Sequence, residues 1–283
     1  MISYKKALEV LKKNKINIKS EIILSKNSVN RVCSHNIKSP NNYPAADNTA
    51  FDGFAINSKD TNKINQNNKK KFKILKTLAA GDNPKIKTVP KFSTVEVMTG
   101  AIIQDPFDTV IPIEQIKYYS NKANQKYIVV NKKITKNNYV RFEGSDYKKG
   151  DIVINKGQLI TPSHILAFKT LGIEKVLVKK KPKIIFYTTG NEITDKNEIP
   201  DWKVRSSNSY YLKSFLKNLP ITFKEKKILR DTDLVKFKKE IKNNLNYKTD
   251  IVITSGAVSA GKFDFIPNLP AETAPEVITI SVL

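Results

Sequence analysis

The chain has 283 residues, 40% of them apolar, with 11 Tyr and 13 Phe, a composition that folds and excludes wholesale disorder. At that length two or three domains of ordinary size are expected. The single Cys33, with only His35 and His164 beside it, excludes a disulfide framework, a thiolate zinc site and a histidine cage. No apolar run reaches the roughly 18–20 residues of a membrane span, so no membrane is expected and a cytoplasmic location is. The formal charge of +24 invites nucleic acid. Only four basic residues are Arg, however (Arg31, Arg141, Arg205 and Arg230), and Arg is the residue whose planar fork suits phosphates and base edges. The lysines run through the whole chain in company with 28 Asn. Drift toward Lys and Asn accounts for them, and no specific nucleic-acid partner is expected; a Lys-rich nucleic-acid binder stays as the weaker alternative.

In chain order, Tyr4, Ala7, Leu8 and Leu11 fall at helical spacing and predict an opening amphipathic helix. Asn41 to Ile56 reads as a polar loop running into an apolar strand, and Asn57 to Lys71 as a featureless solvated loop. Strands are predicted at Phe72–Leu78, Ser93–Met98, Thr109–Ile113, Tyr127–Val130 and Tyr139–Phe142. With no helix between them they predict a small, mainly β module. Thr161-Pro162 supplies an N-cap and first-turn proline for a helix that buries Ile165, Leu166 and Leu171 and ends at Gly172. Strand Ile184–Thr188 then begins an alternation: helix Tyr210–Asn218, strand Ile221–Leu229, helix Leu234–Leu245, strand Asp250–Thr254. That pattern predicts a parallel, helix-flanked sheet.

Ligands of open α/β sheets collect at the carboxyl ends of the strands, where three loops stand out. TTGNE (Thr188 to Glu192) follows a buried strand, with Gly190 for a sharp turn and Glu192 at the strand edge. RSSNS (Arg205 to Ser209) precedes a helix whose free N–H groups, with the hydroxyls, suit an anion. TSGAVSAGKFD (Thr254 to Asp264) offers Gly256 and Gly261 for close backbone approach to a phosphate, Ser255 and Ser259 as donors, and Asp264 for Mg²⁺. Each has a plainer reading: a solvated Glu, a helix cap, a turn. Together, on successive strand ends of one sheet, they point to an anion site. GAVSAGKF (Gly256 to Phe263) falls short of a nucleotide phosphate loop, because Phe263 replaces the Mg²⁺-binding hydroxyl.

The chain resembles the molybdopterin molybdenumtransferase family (the MoeA/gephyrin group). The likeness is carried by PAADNTAFDGFAI (Pro44 to Ile56), LAAGDNP (Leu78 to Pro84), VMTGA (Val97 to Ala101), DTVIPIEQ (Asp108 to Gln115) and GSDYKKGD (Gly144 to Asp151). It continues in LGIEKVLVKKKPKIIFYTTGNEI (Leu171 to Ile193), SSNSYYL (Ser206 to Leu212) and DIVITSGAVSAGKFDFI (Asp250 to Ile266), all in the family's order. The resemblance implies an enzyme of molybdenum-cofactor synthesis that places molybdate on adenylylated molybdopterin and releases AMP, with Mg²⁺, as a homodimer. It implies catalytic roles for Glu192, Asp231, Asp52, Thr99 and Asp146, metal ligands in Glu192 and Asp264, and ligand-binding roles for Ser207, Asn208, Ser255, Gly256, Ser259 and Gly261. Asp52 also reads as a turn cap beside Gly53, with Asp47 in a similar place, and Thr99 as a turn residue before Gly100.

The implied fold class is multidomain α/β. A discontinuous domain at 1–45 with 140–180 and a mainly β domain at 46–139 would precede a three-layer, molybdopterin-binding-like domain at 181–283. Two departures stand against the pattern: Ala257 and Ala260 replace residues of the family's Gly-rich loop, and no Pro-Gly pair occurs. The last of 46 lysines is Lys262. PNLPAETAPEVITISVL therefore reads as a tail outside the family pattern, of the kind a frameshift or truncation leaves, and the chain as one that is impaired alone or only binds molybdopterin.

Overall fold

A computed structural model describes residues 3–118, 127–230, 233–246 and 249–256. Along the chain run α1 (Tyr4–Lys13), β1 (Ser20–Leu24), β2 (Ile37–Lys38), β3 (Asn48–Thr49), β4 (Gly53–Ile56), β5 (Lys70–Leu78) and β6 (Ser93–Val97). Then come β7 (Thr109–Pro112), β8 (Lys117–Tyr118), β9 (Tyr127–Val130), β10 (Val140–Arg141), β11 (Ile152–Ile154), α2 (Pro162–Thr170) and β12 (Lys175–Lys179). The last elements are β13 (Lys183–Thr188), β14 (Ile193–Thr194), β15 (Val204–Arg205), α3 (Asn208–Leu216), β16 (Thr222–Glu225), α4 (Leu234–Asn246) and β17 (Ile251–Ser255). Two compact units result: one of Met1–Asn36, Ile154–Ile165 and Glu174–Leu283, the other of Ile37–Val153 and Leu166–Ile173.

The second unit holds the mainly β module. Its six strands lie in the order β7-β4-β6-β5-β9-β8, antiparallel throughout except for β5 beside β6. Alternation along β4 divides its apolar residues between two faces. Phe54 and Ile56 pack with Phe72, Ile111 and Ile128 on one side, and Ala55 with Val95, Val97 and Val110 on the other. Every residue of β4 is buried. Gly53 opens that strand because nothing larger fits: a Cβ there would lie 2.2 Å from the Ile111 carbonyl oxygen on β7.

Two expectations are corrected here. The stretch from Asn57 to Lys71 is not a featureless loop. Ser58–Thr61 forms a short 3-10 turn, Thr61 and Ile64 are buried, and the Ser58 N–H and hydroxyl donate to the Asp108 carboxylate at 2.7 and 2.9 Å. Apart from Ile64 the buried groups are small and polar, and one isoleucine in a polar run gives little sign of them. On α2, Leu166 is 71% exposed, whereas Phe168 and Leu171 are buried. Two residues from Phe168 is more than half a helical turn, which carries Leu166 to the opposite side.

In the first unit, β1 pairs antiparallel with β12, and Arg31 bonds both the Glu21 carboxylate and, at 2.7 Å, the Lys179 carbonyl. The predicted parallel sheet is present as β16-β13-β17. The chain moves from β13 to β16 on one side and then back past it to β17. Right-handed crossovers in opposite directions put α3 and α4 on opposite faces, which makes three layers. Tyr187, fully buried, meets Phe237 of α4 edge-to-face at 5.2 Å, and its hydroxyl donates to Glu240 at 3.1 Å. Phe186, alternating to the other face, stacks on Phe223 of β16. Among the described residues no helix is long and apolar enough to cross a membrane.

Candidate functional site

The strand order fixes where a ligand can enter. When the chain runs from a central strand to one neighbour and then to the other, the connections leave in opposite directions. A crevice opens at the carboxyl ends of the two strands flanking that switch. Here those strands are β13 and β17, with Thr188 opposite Ser255 in register. The segments entering the crevice are Thr189–Glu192 and Ser255–Gly256. The Thr189 N–H and hydroxyl donate to the Ser255 carbonyl at 2.9 and 3.0 Å. Gly256 turns away with φ +94°, and a Cβ there would sit 2.5 Å from the Thr189 carbonyl oxygen and 2.8 Å from its hydroxyl. Only glycine meets both demands.

Glu192 lies on the loop that follows β13. Gly190 has φ +136°, and a Cβ on it would fall 2.5 and 2.7 Å from the two Glu192 carboxylate oxygens. The carboxylate is thus folded back over the glycine, exposed, and without a hydrogen bond or ion pair to any described residue. The serine-rich segment runs alongside. β14 pairs parallel with β15, the Val204 N–H donates to the Glu192 carbonyl at 2.9 Å, and the Ser206 N–H to the Thr194 carbonyl at 2.8 Å. Ser207 is the N-cap of α3 but its side chain makes no capping bond, and Asn208 is the first helical residue. The first-turn N–H groups are therefore uncapped by Ser207. Three buried hydroxyls on these segments, of Thr188, Ser206 and Ser209, have no partner among the described residues. A buried hydroxyl left unpaired costs about 1–3 kcal/mol, so each is expected to take a partner from water, a ligand or the rest of the chain.

Glu192, Ser207, Asn208, Ser255 and Gly256 thus fall on the loops of one α/β unit. Asp231, Ser259, Gly261 and Asp264, with Ala257 and Ala260, lie outside the described residues. Among the described residues no group of three His, Cys, Asp or Glu could hold a metal. The donors present are one free carboxylate and hydroxyl oxygens. That set suits a hard cation sharing its coordination with a ligand's phosphate, as Mg²⁺ commonly does.

Sequence reasoning missed the arginines that hold this region. Arg230 Nη1 donates to the carbonyls of Asn191 at 3.0 Å and Ile193 at 3.1 Å and reaches that of Gly190 at 3.5 Å. Arg205 bonds the carbonyls of Lys196 at 3.1 Å and Asn197 at 2.8 Å. The available signal was rarity: they are two of only four arginines, each directly after an apolar residue near a strand end.

In the second unit the structure brings Asp52 and Thr99 together. Asp52 Oδ1 accepts from the Thr99 N–H at 2.6 Å and from its hydroxyl at 2.8 Å. The cap is real, but it closes the turn of another strand and not its own. Asp47 does likewise, accepting from the Glu143 N–H at 2.7 Å. Asp146 belongs to a different group: Arg141 donates to it at 2.5 Å while lying over the Tyr43 ring, 5.6 Å from its centroid. No described contact joins Asp146 to Asp52 or Thr99.

The Thr99 N–H and then its hydroxyl hold the Asp52 carboxyl below its ordinary 3.8. A carboxylate depressed in the folded state binds its proton less readily than in the unfolded chain. Its contribution to stability is therefore full above the unfolded value and is lost as pH falls through the folded one. Thr99→Val removes the lesser cause only. Titrating the Asp52 side chain by NMR should show a partial return toward the ordinary value, and an unchanged midpoint would contradict the bond.

Comparison with known proteins agrees with this fold. Residues 2–172 match the model for the MoeA N-terminal region (domain I and II), and residues 185–281 the model for a probable molybdopterin binding domain. The chain is 30% identical over 278 residues to the molybdopterin molybdenumtransferase of Staphylococcus aureus (strain Mu50), covering 98% of this chain and 64% of the relative. It is 29% identical over 269 residues to the protein of that name in Staphylococcus epidermidis (strain RP62A), covering 95% of this chain and 62% of the relative. The solved molybdopterin biosynthesis moeA protein of Pyrococcus horikoshii OT3 superposes with a TM-score of 0.79 at 27% identity, over 90% of this chain and 66% of that one. The chain thus spans 64% of the length of the curated relative from S. aureus. The molybdopterin-binding match runs to residue 281, so the residues after Ile266 lie within the family pattern, and the expectation of a foreign tail is corrected. With more than half of its length under the first model alone, the chain belongs to the MoeA family.

Proposed function

We propose that the protein acts in molybdenum-cofactor biosynthesis as a molybdopterin molybdenumtransferase, inserting molybdate into adenylylated molybdopterin with release of AMP in a Mg²⁺-dependent step. The observation that carries the reading is the crevice between β13 and β17. Two glycine bends and a free carboxylate lie on the segments that leave these strands, and unpartnered hydroxyls on β13 and on the serine-rich segment, all inside the residues matched to a probable molybdopterin binding domain. Gly190 and Gly256 let backbone come close to a phosphate, as a Cβ would not. The Ser206 and Ser209 hydroxyls and the first-turn N–H groups of α3 would hold and orient the anionic group, with the helix dipole favouring its charge. Glu192, with ligand oxygens, would hold the divalent ion, which when bound neutralises charge building on a leaving phosphate.

The working form is proposed to be a cytoplasmic homodimer, with the Asp52–Thr99 pair and Asp146 contributing from the mainly β module. The test is AMP release from adenylylated molybdopterin with molybdate under anaerobic conditions, with and without Mg²⁺. Mg²⁺-dependent AMP is the expected product. Binding without AMP would favour the alternative of a chain that only binds molybdopterin, and absence of binding would reject both.

A further inference from the structure

We propose that Arg230 is a positioning residue of this crevice, acting by fixing the turn that presents Glu192; the inference rests on reading the crevice as the molybdopterin site. Gly190 is free to change conformation, and the two residues after it belong to no strand. Left to itself such a turn would sample many conformations, and the carboxylate would have no fixed place. The Gly190 N–H donates to the Leu229 carbonyl at 3.1 Å, the Glu192 carbonyl accepts from the Val204 N–H at 2.9 Å, and the Asn191 carbonyl accepts from Lys203 Nζ. Arg230 Nη1 adds the group that spans the turn, within reach of the carbonyls of Gly190, Asn191 and Ile193, on both sides of Glu192.

The base of that side chain is itself fixed. The Arg230 N–H donates to Asp233 at 2.9 Å, the Asp233 N–H returns to the Arg230 carbonyl at 2.9 Å, and the preceding Leu229 is bridged to Thr189. Arg230 has no carboxylate partner among the described residues. Its charge therefore remains beside the crevice, where it favours an anionic ligand. Because all three contacts come from one terminal nitrogen, a lysine ammonium can replace part of them and an uncharged side chain none.

The experiment uses the whole chain and molybdopterin as probe. In Arg230→Met, amide hydrogen exchange across Gly190–Thr194 is expected to rise at least tenfold with the β13 amides unchanged, and molybdopterin to bind at least tenfold more weakly. Arg230→Lys should recover part of both. In a Glu192→Gln background the binding loss from Arg230→Met should shrink to less than threefold, since coupled residues are not additive. A merely structural role would instead lower protection throughout the unit and give additive losses. Unchanged exchange across Gly190–Thr194, or full additivity with Glu192→Gln, would overturn the proposal while wild-type binding left the site reading intact. A wild-type chain with no molybdopterin affinity would sink the site reading first, and the exchange data would then judge the clamp alone.

Discussion

Gly53→Ala is expected to destabilise the mainly β module by about 3 kcal/mol, near the upper end of what an added methyl group does in a packed interior. The added carbon would lie 2.2 Å from the Ile111 carbonyl oxygen and 2.9 Å from its carbon. Both are backbone atoms in a strand that is paired to β4 over four residues, from Gly53–Pro112 to Ile56–Thr109. A flexible side chain could swing aside; a strand at the edge of a ladder moves only by breaking it. Gly53 also adjoins Asp52, so displaced backbone would pull the carboxylate off Thr99. The check is native-state hydrogen exchange at Phe54, Ile56, Val95 and Val97. Protection there should fall by about a hundredfold for the stated free energy. Exchange within threefold of wild type would show that the strands accommodate the methyl group.

Glu192→Gln is expected to lower AMP release by at least about a hundredfold, the scale on which single electrostatic groups act on transition states. The substitution keeps shape and removes charge. The carboxylate makes no hydrogen bond or ion pair with a described residue, so folding should be untouched, with the thermal midpoint within about a degree of wild type as for a surface change. Loss of activity without loss of stability separates a functional carboxylate from a structural one. The Mg²⁺ dependence of molybdopterin binding should weaken in parallel, because one of the cation's oxygen donors is gone. Release within threefold of wild type would remove Glu192 from the mechanism.

Much of the α/β unit was legible because its signals are local and strong. Apolar runs such as Ile184–Thr188 and that of Asp250–Thr254, separated by helix-length segments, leave little room for anything but parallel strands, and the observed bounds differ by a few residues. The same holds for Tyr127–Val130, where every residue is β-branched or aromatic. What stayed hidden depends on distant partners. β1 and β12 pair across most of the chain, and a Lys-containing KVLVK gives no hint of the strand that will cover it. Two-residue strands such as β2, β3 and β10 exist only through their pairing.

The candidate site divides in the same way. The positions of Glu192, Gly190, Ser255 and Gly256 at the strand ends were readable because glycine next to a strand end marks a bend that other residues resist. The Asp52–Thr99 bond was anticipated only as two separate turn residues, since their meeting depends on how β4 and β6 register. The role of Arg230 was not legible, because an arginine that bonds carbonyls leaves no pattern of opposite charges, and rarity alone does not say what it holds. Leu166 departs from expectation because adjacent apolar residues on a short helix do not share one face, and Phe168 sets the buried one.

The central claim is that the loops at the carboxyl ends of β13 and β17 receive molybdopterin. Anaerobic titration of isotope-labelled protein with molybdopterin, followed through backbone amide resonances, tests it most directly. The resonances of Thr188–Glu192, Ser206–Ser209 and Ser255–Gly256 should shift with one common affinity while those of β8 and β9, at the far edge of the six-stranded sheet, stay in place. Saturable binding that leaves these three segments unmoved and shifts residues elsewhere would contradict it.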